Sequence, residues 1–556
     1  MMDQNSQKLK GSEIVVKCLQ EQGVEYVFSY PGGAVIPLFD AFYRMEHNIH
    51  QVEPCHEQNG IHAAEGYARA SGKVGVGITT SGPGATNAVT AIADAHMDST
   101  PLVVFTGQVT QQLLGKDSFQ EVDITSITLP ITKHNFIIKD ITMLAPTIRE
   151  AFRIAQSGRP GPVVIDVPKN IFLEETIYTP AQPYSLDEER PTPQRDALNR
   201  AAEYINKAER PVIYAGGGVI KAGASELLVK FAEKAGIPVA NSLMGLGSIP
   251  RDNDLSLGLV GMHGSQECNL AVINCDTLIA IGARFSDRVT GNINEFMRDK
   301  KIIQIDVDAT EFEKNVEANV HICADIADAL PKLYNLVKEN SHPKWYQQIA
   351  KWPLKEKPDT EYHPRTIIHH INKFFEDAYV VTEVGQHQMW VGQHWRFKFP
   401  NQYITSGGLG TMGFGMGAAI GCQFAKPDHQ VLLFAGDGSF RMNFTELTTI
   451  RRYNLPIKIF LFNNETLGMV RQWQKLFNDR RYAQTDLTDH AVDYLKLADA
   501  FNIKNYDVTD LKSLDQTLEE IKDLDEPVLV NCHIDHDEGV YPMVPAGKPI
   551  DEIYYE

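Results

Sequence analysis

No two of the seven cysteines, at 18, 55, 268, 275, 323, 422 and 532, form a C-x-x-C pair. A zinc knuckle and a dithiol redox motif are therefore excluded, and the odd, scattered set points to a reducing cytoplasm. Positive charge is also scarce: 52 Lys and Arg stand against 71 Asp and Glu, a balance of −19. Nucleic acid and anionic membrane demand a basic face, so neither is an expected partner. A small anionic ligand needs only a few local donors and stays open. The opening MMDQNSQKLKGSE has no apolar signal core and no Arg-rich transit segment, so the expected location is cytoplasmic. One charge-free stretch, 399–425, is long enough to span a bilayer, but seven of its residues are Gly. That composition reads as backbone packed against a ligand or another element, not as a lipid-facing helix.

At ~100–200 residues per domain, the 556 residues predict three or four domains. Such a chain buries a large core without disulfide or metal. Pro180, Pro183, Pro191 and Pro193 surround the acidic run Asp187-Glu188-Glu189, and Pro343, Pro353, Pro358 and Pro364 punctuate a second polar stretch. Read as linkers, they leave three blocks, 1–180, 195–340 and 365–545. Each block alternates β-branched runs with helical patterns: GVGIT, PLVVFTG and GPVVIDV, then RPVIYAGGG, DTLIAIGARF and KIIQIDVD, then AYVVTEVG, QVLLFAGDG, IKIFLFNN and EPVLVNCHI. Continuous apolar strands between helices predict α/β architecture with three doubly wound parallel sheets. Thr80-Ser81-Gly82-Pro83-Gly84 and Thr405-Ser406-Gly407-Gly408 echo each other, which leaves duplication and generic strand–turn–helix chemistry both open.

The sharpest local signal is Gly436-Asp437-Gly438, then 24 residues, then Asn463-Asn464. Both ends close apolar strands, so a βαβ unit brings them to the sheet edge where ligands bind. A carboxylate and an amide oxygen there are hard donors suited to Mg²⁺, which completes its octahedron with phosphate and water. Gly436 and Gly438 let backbone approach a diphosphate. The bland alternative is a tight turn followed by an Asn-rich turn. Gly413-x-Gly415-x-x-Ala418 matches a dinucleotide fingerprint with Asp437 downstream, so a nicotinamide dehydrogenase is a rival. It leaves Asn463 and Asn464 without a task.

The GDG…NN spacing resembles the thiamine diphosphate enzymes. That resemblance implies Mg²⁺ held by Asp437, Asn464 and the carbonyl of Thr466, with Gly436, Gly438, Ser439, Gly468 and Met469 beside the cofactor. It also implies a glutamate beside the aminopyrimidine, and His56-Glu57-Gln58 matches. A carboxyl bonded to N1′ favours the imino tautomer, whose nitrogen can take the thiazolium C2 proton. Zinc at His56 and His62 fails, since six-residue spacing puts the rings on different helix faces.

Further segments, among them YPGGAVIPLFDA, HEQNGIHAAEGYARASGK, TSGPGATNAVTAIADA, GRPGPVVIDVPK, GARFSDRVTG, EVGQHQMW, SGGLGTMGFG and NNETLGMVRQWQ, resemble acetohydroxyacid (acetolactate) synthase large subunits over about residues 12–552. The resemblance implies decarboxylation of pyruvate and ligation of the two-carbon unit to pyruvate or 2-ketobutyrate, the entry to branched-chain amino acid synthesis. It assigns the blocks, in order, to pyrimidine binding, FAD binding and diphosphate/Mg²⁺ binding. Cofactor contacts are implied for Val384, Gly385, Gln386, His387, Gly410 and Met412, the last holding the cofactor bent. Arg288 and Trp473 would form the second-substrate pocket: a guanidinium suits a ketoacid carboxylate, and an indole face favours the extra methyl. Gly33, Phe119, Gln120 and Lys169 match further active-site positions. Gly216, Gly217, Gly218, Met262, His263, Gly264, Arg284, Arg288, Asp306 and Asp325 would contact FAD, which is largely structural in these synthases. A homodimer or homotetramer with sites at the subunit interface, and a small regulatory subunit, are implied partners. Ser118, Thr110, Cys268 and Ser286 depart from the usual pattern without removing a chemical group. The rivals are a pyruvate oxidase-type flavin enzyme, a catabolic flavin-free acetolactate synthase and a non-catalytic paralogue.

Overall fold

The computed structural model describes residues 6–186, 190–353 and 359–555. The run Asp187-Glu188-Glu189 and Pro358, read above as linker, lie outside the described residues. Three six-stranded sheets, all parallel, carry the architecture, each flanked by helices. Strands such as Leu102–Gln108 and Pro162–Pro168 are buried at every residue, as sheets covered on both faces require. Outer helices are amphipathic: Arg195–Lys207 turns Leu198, Ala201, Ala202 and Ile205 inward.

The first sheet consists of Tyr26–Ser29, His50–Val52, Gly75–Thr79, Leu102–Gln108, His134–Ile137 and Pro162–Pro168; numbered along the chain, their spatial order is 2-1-3-4-6-5. The third sheet (Tyr379–Thr382, Tyr403–Ile404, Val431–Gly436, Lys458–Asn463, Lys504–Val508, Val528–His533) has the same order. The middle sheet (Pro211–Ala215, Val239–Asn241, Ser256–Leu259, Thr277–Ile281, Lys301–Asp306, Val320–Cys323) runs 3-2-1-4-5-6, the order of dinucleotide-binding sheets. The outer domains are thus topological copies. Their local echo is not the equivalent pair, since Thr80–Gly84 follows a third strand and Thr405–Gly408 a second.

The second proline stretch is less of a linker than its composition predicts. Pro343 opens the helix Pro343–Ile349, whose buried Trp345 donates Nε1–H to the Pro211 carbonyl (3.1 Å) in the middle domain. Pro364 opens Pro364–Phe374 on the third domain. Both prolines take the first helical position, where a missing N–H costs nothing.

The outer domains pack through two helices buried nearly all round, Glu57–Ser71 and Gly415–Ala425. The first starts on a His56 cap that accepts from Gln58 N and stops at Gly72, whose φ of 76° few other residues tolerate. Small residues let the backbones nearly touch. A Cβ on Gly66 would lie 2.1 Å from the Ala418 carbonyl oxygen, and one on Gly421 would lie 1.8 Å from that of Ala63. The charge-free segment is therefore a helix pressed against protein.

Candidate active site

Asp437 and Asn464 end neighbouring parallel strands, so the fold delivers both to one carboxyl edge. Asn464 Oδ1 stands 3.2 Å from Asp437 Oδ1 and 3.1 Å from the Thr466 carbonyl oxygen. Its Nδ2 donates to Gln386 Oε1 (3.2 Å). Neighbouring oxygens this close repel, and the two spacings match the roughly 3 Å between ligands held at 2.0–2.1 Å on an Mg²⁺ octahedron. Turning the amide over would relieve the repulsion but aim its oxygen at Gln386 Oε1. Gln386 cannot turn with it, because its Nε2 already donates to Glu538 O (2.7 Å) and Gln472 Oε1 (3.2 Å). The three predicted ligands therefore fit a divalent cation. Burial pushes the Asp437 carboxyl up to about 7, opposed by Arg441.

Around this trio lie Gly436, Gly438, Ser439, Gly468 and His387. Ser439 Oγ donates to the Gly436 carbonyl (3.1 Å). A Cβ on Gly468 would fall 1.9 Å from Gln386 Oε1 and 2.9 Å from Asn464 Nδ2, so a larger residue would displace the amides beside the trio. His387 is buried with Nε2 unpartnered, and burial holds its ring down at about 3 and hence neutral.

Beside this edge opens a cavity of about 1050 Å³ where all three domains meet, the first contributing Met97, Asp98, Ser99 and Arg159. Its walls hold Gly216, Gly217, Gly218, Met262, His263, Arg284, Arg288, Asp306 and Asp325 from one side. Val384, Gly385, Gly410, Met412, Met469 and Trp473 come from the other. The glycine turn after the first middle strand meets Gly282 after the fourth, with only 2.1 Å between a Gly216 Cβ and the Gly282 carbonyl oxygen. That junction is the topological switch point where such sheets hold dinucleotides. Gly264 does not line the cavity; it sits in the turn before helix Gln266–Asn274. Asp325 caps helix Ile326–Leu336, and burial raises Asp306 to about 6.

The first domain gathers its own set at the carboxyl edge of its sheet. Glu57 Oε2 accepts from Asn87 Nδ2 (3.0 Å), and Oε1 lies 3.2 Å from where a Gly84 Cβ would be. Gln120, at φ 59°, covers Gly82. Gly33 follows the first strand, and Lys169 opens the short helix after Pro162–Pro168. Phe119 is 87% exposed. Neither Glu57 nor Asp437 lines this cavity, and no hydrogen bond joins the two among the described residues.

Comparison with known proteins decides the family. Residues 9–127, 198–333 and 383–532 match, respectively, the N-terminal TPP binding, central, and C-terminal TPP binding domains of thiamine pyrophosphate enzymes. Acetolactate synthase large subunits of Parasynechococcus marenigrum (strain WH8102) and Lactococcus lactis subsp. lactis (strain IL1403) are 42% and 43% identical. Each alignment covers 98% of this chain, with 91% and 96% of the relatives. The acetolactate synthase isozyme 2 large subunit of Escherichia coli (strain K12) is 42% identical, over 98% of this chain and 99% of that one. The chain belongs to the acetolactate synthase large-subunit family of thiamine pyrophosphate enzymes.

Within that family frame, Arg288 is not consumed by its neighbour: its closest approach to Asp287 is 3.8 Å, and both are exposed to the cavity. Such a pair contributes little and leaves the guanidinium available. Trp473 is half-buried at the cavity wall, its ring 5.3 Å from Phe477. Four buried carboxylates escaped the sequence reading. Glu383 accepts from Gly413 N, Gly415 N (both 2.8 Å) and Asn443 Nδ2 (2.8 Å). Asp94 and Asp98 bind the loop before Met412, and Glu446 binds the turn before Glu57. Isolated carboxylates carry no spacing signal. The one trace was the charge-free segment, whose amides need acceptors from elsewhere.

Proposed function

We propose that the chain is the catalytic subunit of an acetohydroxyacid synthase, joining the two-carbon unit left by decarboxylation of pyruvate to pyruvate or 2-ketobutyrate. The products are 2-acetolactate and 2-aceto-2-hydroxybutyrate. The observation that carries the reading is the Asp437–Asn464–Thr466 oxygen trio opening beside a cavity that also presents Arg288 and Trp473. Asp437, Asn464 and the Thr466 carbonyl would hold Mg²⁺, and the Gly436–Ser439 turn would receive the diphosphate of thiamine diphosphate. When bound, that cofactor supplies an electron sink for decarboxylation. Glu57 would hold a proton at the aminopyrimidine. Arg288 would pair with the carboxylate of the second ketoacid, and Trp473 would pack against its alkyl end. Met412, flanked by the anchored Thr411 and Gly413, would brace the cofactor from below. The glycine-lined switch point and volume of the cavity support FAD in the middle domain.

Glu57 and Asp437 belong to the carboxyl edges of different sheets, which supports a dimer in which each site takes Glu57 from one chain and Asp437 from its partner. Phe119 at 87% and Met442 at 62% exposure suit surfaces a second copy covers. Acetolactate formation from pyruvate, with and without thiamine diphosphate and Mg²⁺, tests the activity, and the visible spectrum tests for flavin. No product, or flavin reduced in step with each turnover, would overturn the reading. Co-expressed Glu57→Ala and Asp437→Ala chains should recover roughly a quarter of wild-type activity through mixed dimers. No recovery despite mixed dimers would place each site within one chain.

A further inference from the structure

The turn that delivers Glu57 is held from the third domain. Glu446 is wholly buried. Its Oε1 accepts from Cys55 N (3.0 Å), His56 N (3.1 Å) and Asn59 Nδ2 (3.1 Å). Its Oε2 accepts from Thr449 Oγ1 (2.6 Å). The converse holds for the loop that carries Gly410 and Met412. There Gly407 N (2.9 Å) and Gly408 N (2.7 Å) donate to Asp98, while Thr411 Oγ1 (2.8 Å) and Ser406 Oγ donate to Asp94. Arg69 closes the arrangement by donating to the Thr405 carbonyl (2.6 Å). Asp94, Asp98 and Arg69 all belong to the first domain.

We infer that Glu446 and the Asp94–Asp98 pair are reciprocal positioning residues, each fixing from the opposite domain a loop that bears a reacting or cofactor-bracing group. A carboxylate is a stronger acceptor for backbone N–H than any neutral group. Burying one is costly, and an apolar contact would hold two domains together with less penalty. What the carboxylates add is direction. Glu446 sets the two peptides that start helix Glu57–Ser71, and hence where Glu57 points. Asp98 clamps two successive glycine amides that would otherwise have wide conformational freedom.

Since the roles of Glu57 and Met412 come from the reading proposed above, activity is to be measured beside amide hydrogen exchange, which does not depend on it. In Glu446→Ala, kcat should fall about a hundredfold, as an ~1 Å misplacement of a catalytic group does, with thiamine diphosphate affinity nearly unchanged. Glu446→Gln keeps one acceptor oxygen for Cys55, His56 and Asn59 and should recover most of the rate. Asp98→Ala should instead weaken thiamine diphosphate binding roughly tenfold, through the lost amide bonds. Exchange should quicken at Cys55–Asn59 only in the first variant and at Gly407–Gly408 only in the last. Wild-type kcat in Glu446→Ala, equal damage in Gln and Ala, or unchanged exchange at both loops would overturn the assignment. Should the Ala variants fail to fold, Asp98→Asn must turn an N–H toward one glycine amide and decides alone. Faster exchange confined to Gly407–Gly408 supports the clamp, and none overturns it. A wild-type chain that makes no acetolactate would sink the functional reading and leave the exchange pattern as judge.

Discussion

Replacing Gly421 with alanine is the sharpest test of how the outer domains are joined. In an isolated helix this change stabilises by about 1 kcal/mol, because glycine carries the larger backbone entropy. Here the new methyl would stand 1.8 Å from the Ala63 carbonyl oxygen, 2.6 Å from its carbon and 2.7 Å from Tyr67 N. Contact distance is about 3.5 Å, and a radial gap of 0.5–1 Å already forfeits a quarter to a half of the attraction. The obstacle is backbone, so no side chain can swing aside; the helices must part along the buried seam from Asn59 to Ala68. Overpacking costs about 1–3 kcal/mol, occasionally more, and this site belongs at the upper end. After the propensity gain, a net loss of about 2 kcal/mol remains. For a unit of 150–250 residues that lowers Tm by ~4–8 °C. Scanning calorimetry checks it against Gly392→Ala, where the nearest atom is the mobile Leu243 Cδ1 at 3.1 Å and little change is expected. Gly421→Ala melting at or above wild type would refute the reasoning.

Glu57→Gln should keep cofactor binding yet lose at least a hundredfold in turnover, the lower range for general acid–base catalysis; near-normal acetolactate formation would remove Glu57 from the chemistry. Asp437→Ala deletes one of few Mg²⁺ ligands, so saturation by thiamine diphosphate at wild-type Mg²⁺ concentrations would contradict the metal assignment. Trp473→Leu should still make acetolactate but lose preference for 2-ketobutyrate by about 1–3 kcal/mol; competition between the two ketoacids measures it, and an unchanged product ratio returns Trp473 to packing. Burial pushes the Glu65 carboxyl up from 4.5 to about 8 and raises Asp94 beside it. The folded chain therefore keeps protons that the unfolded chain has released, and stability should fall as pH rises from about 4.5 to about 8. Melting curves across that interval check the sign, and Asp94→Asn should flatten the slope.

The parallel sheets were legible because each buried strand is an uninterrupted apolar run, and the Asp437–Asn464 pair because two strand ends at fixed spacing must share an edge. Pro343 and Pro364 misled as linkers, since proline at the first turn of a helix has the same composition as proline in a loop. The copy relation between outer domains lay in strand order, which residue patterns do not carry; Thr80–Gly84 and Thr405–Gly408 resemble each other without being equivalent. Least legible were Asp94, Asp98, Glu383 and Glu446. Each looks like an ordinary surface charge until the fold supplies distant amides.

The glycine-faced seam between Glu57–Ser71 and Gly415–Ala425 also sets a schedule for synthesis. Ribosomes adding about 5–20 residues per second need roughly 12–50 s to cover the roughly 245 residues from the end of the first domain, near residue 180, to Ala425. Throughout that interval the first domain has emerged with Ile61, Ala64 and Ala68 lacking their counterpart. The chain must therefore leave the ribosome with a sticky, half-dressed surface. Its need for chaperone cover should be greatest after the first domain is complete and should end abruptly once residue 425 clears the exit tunnel.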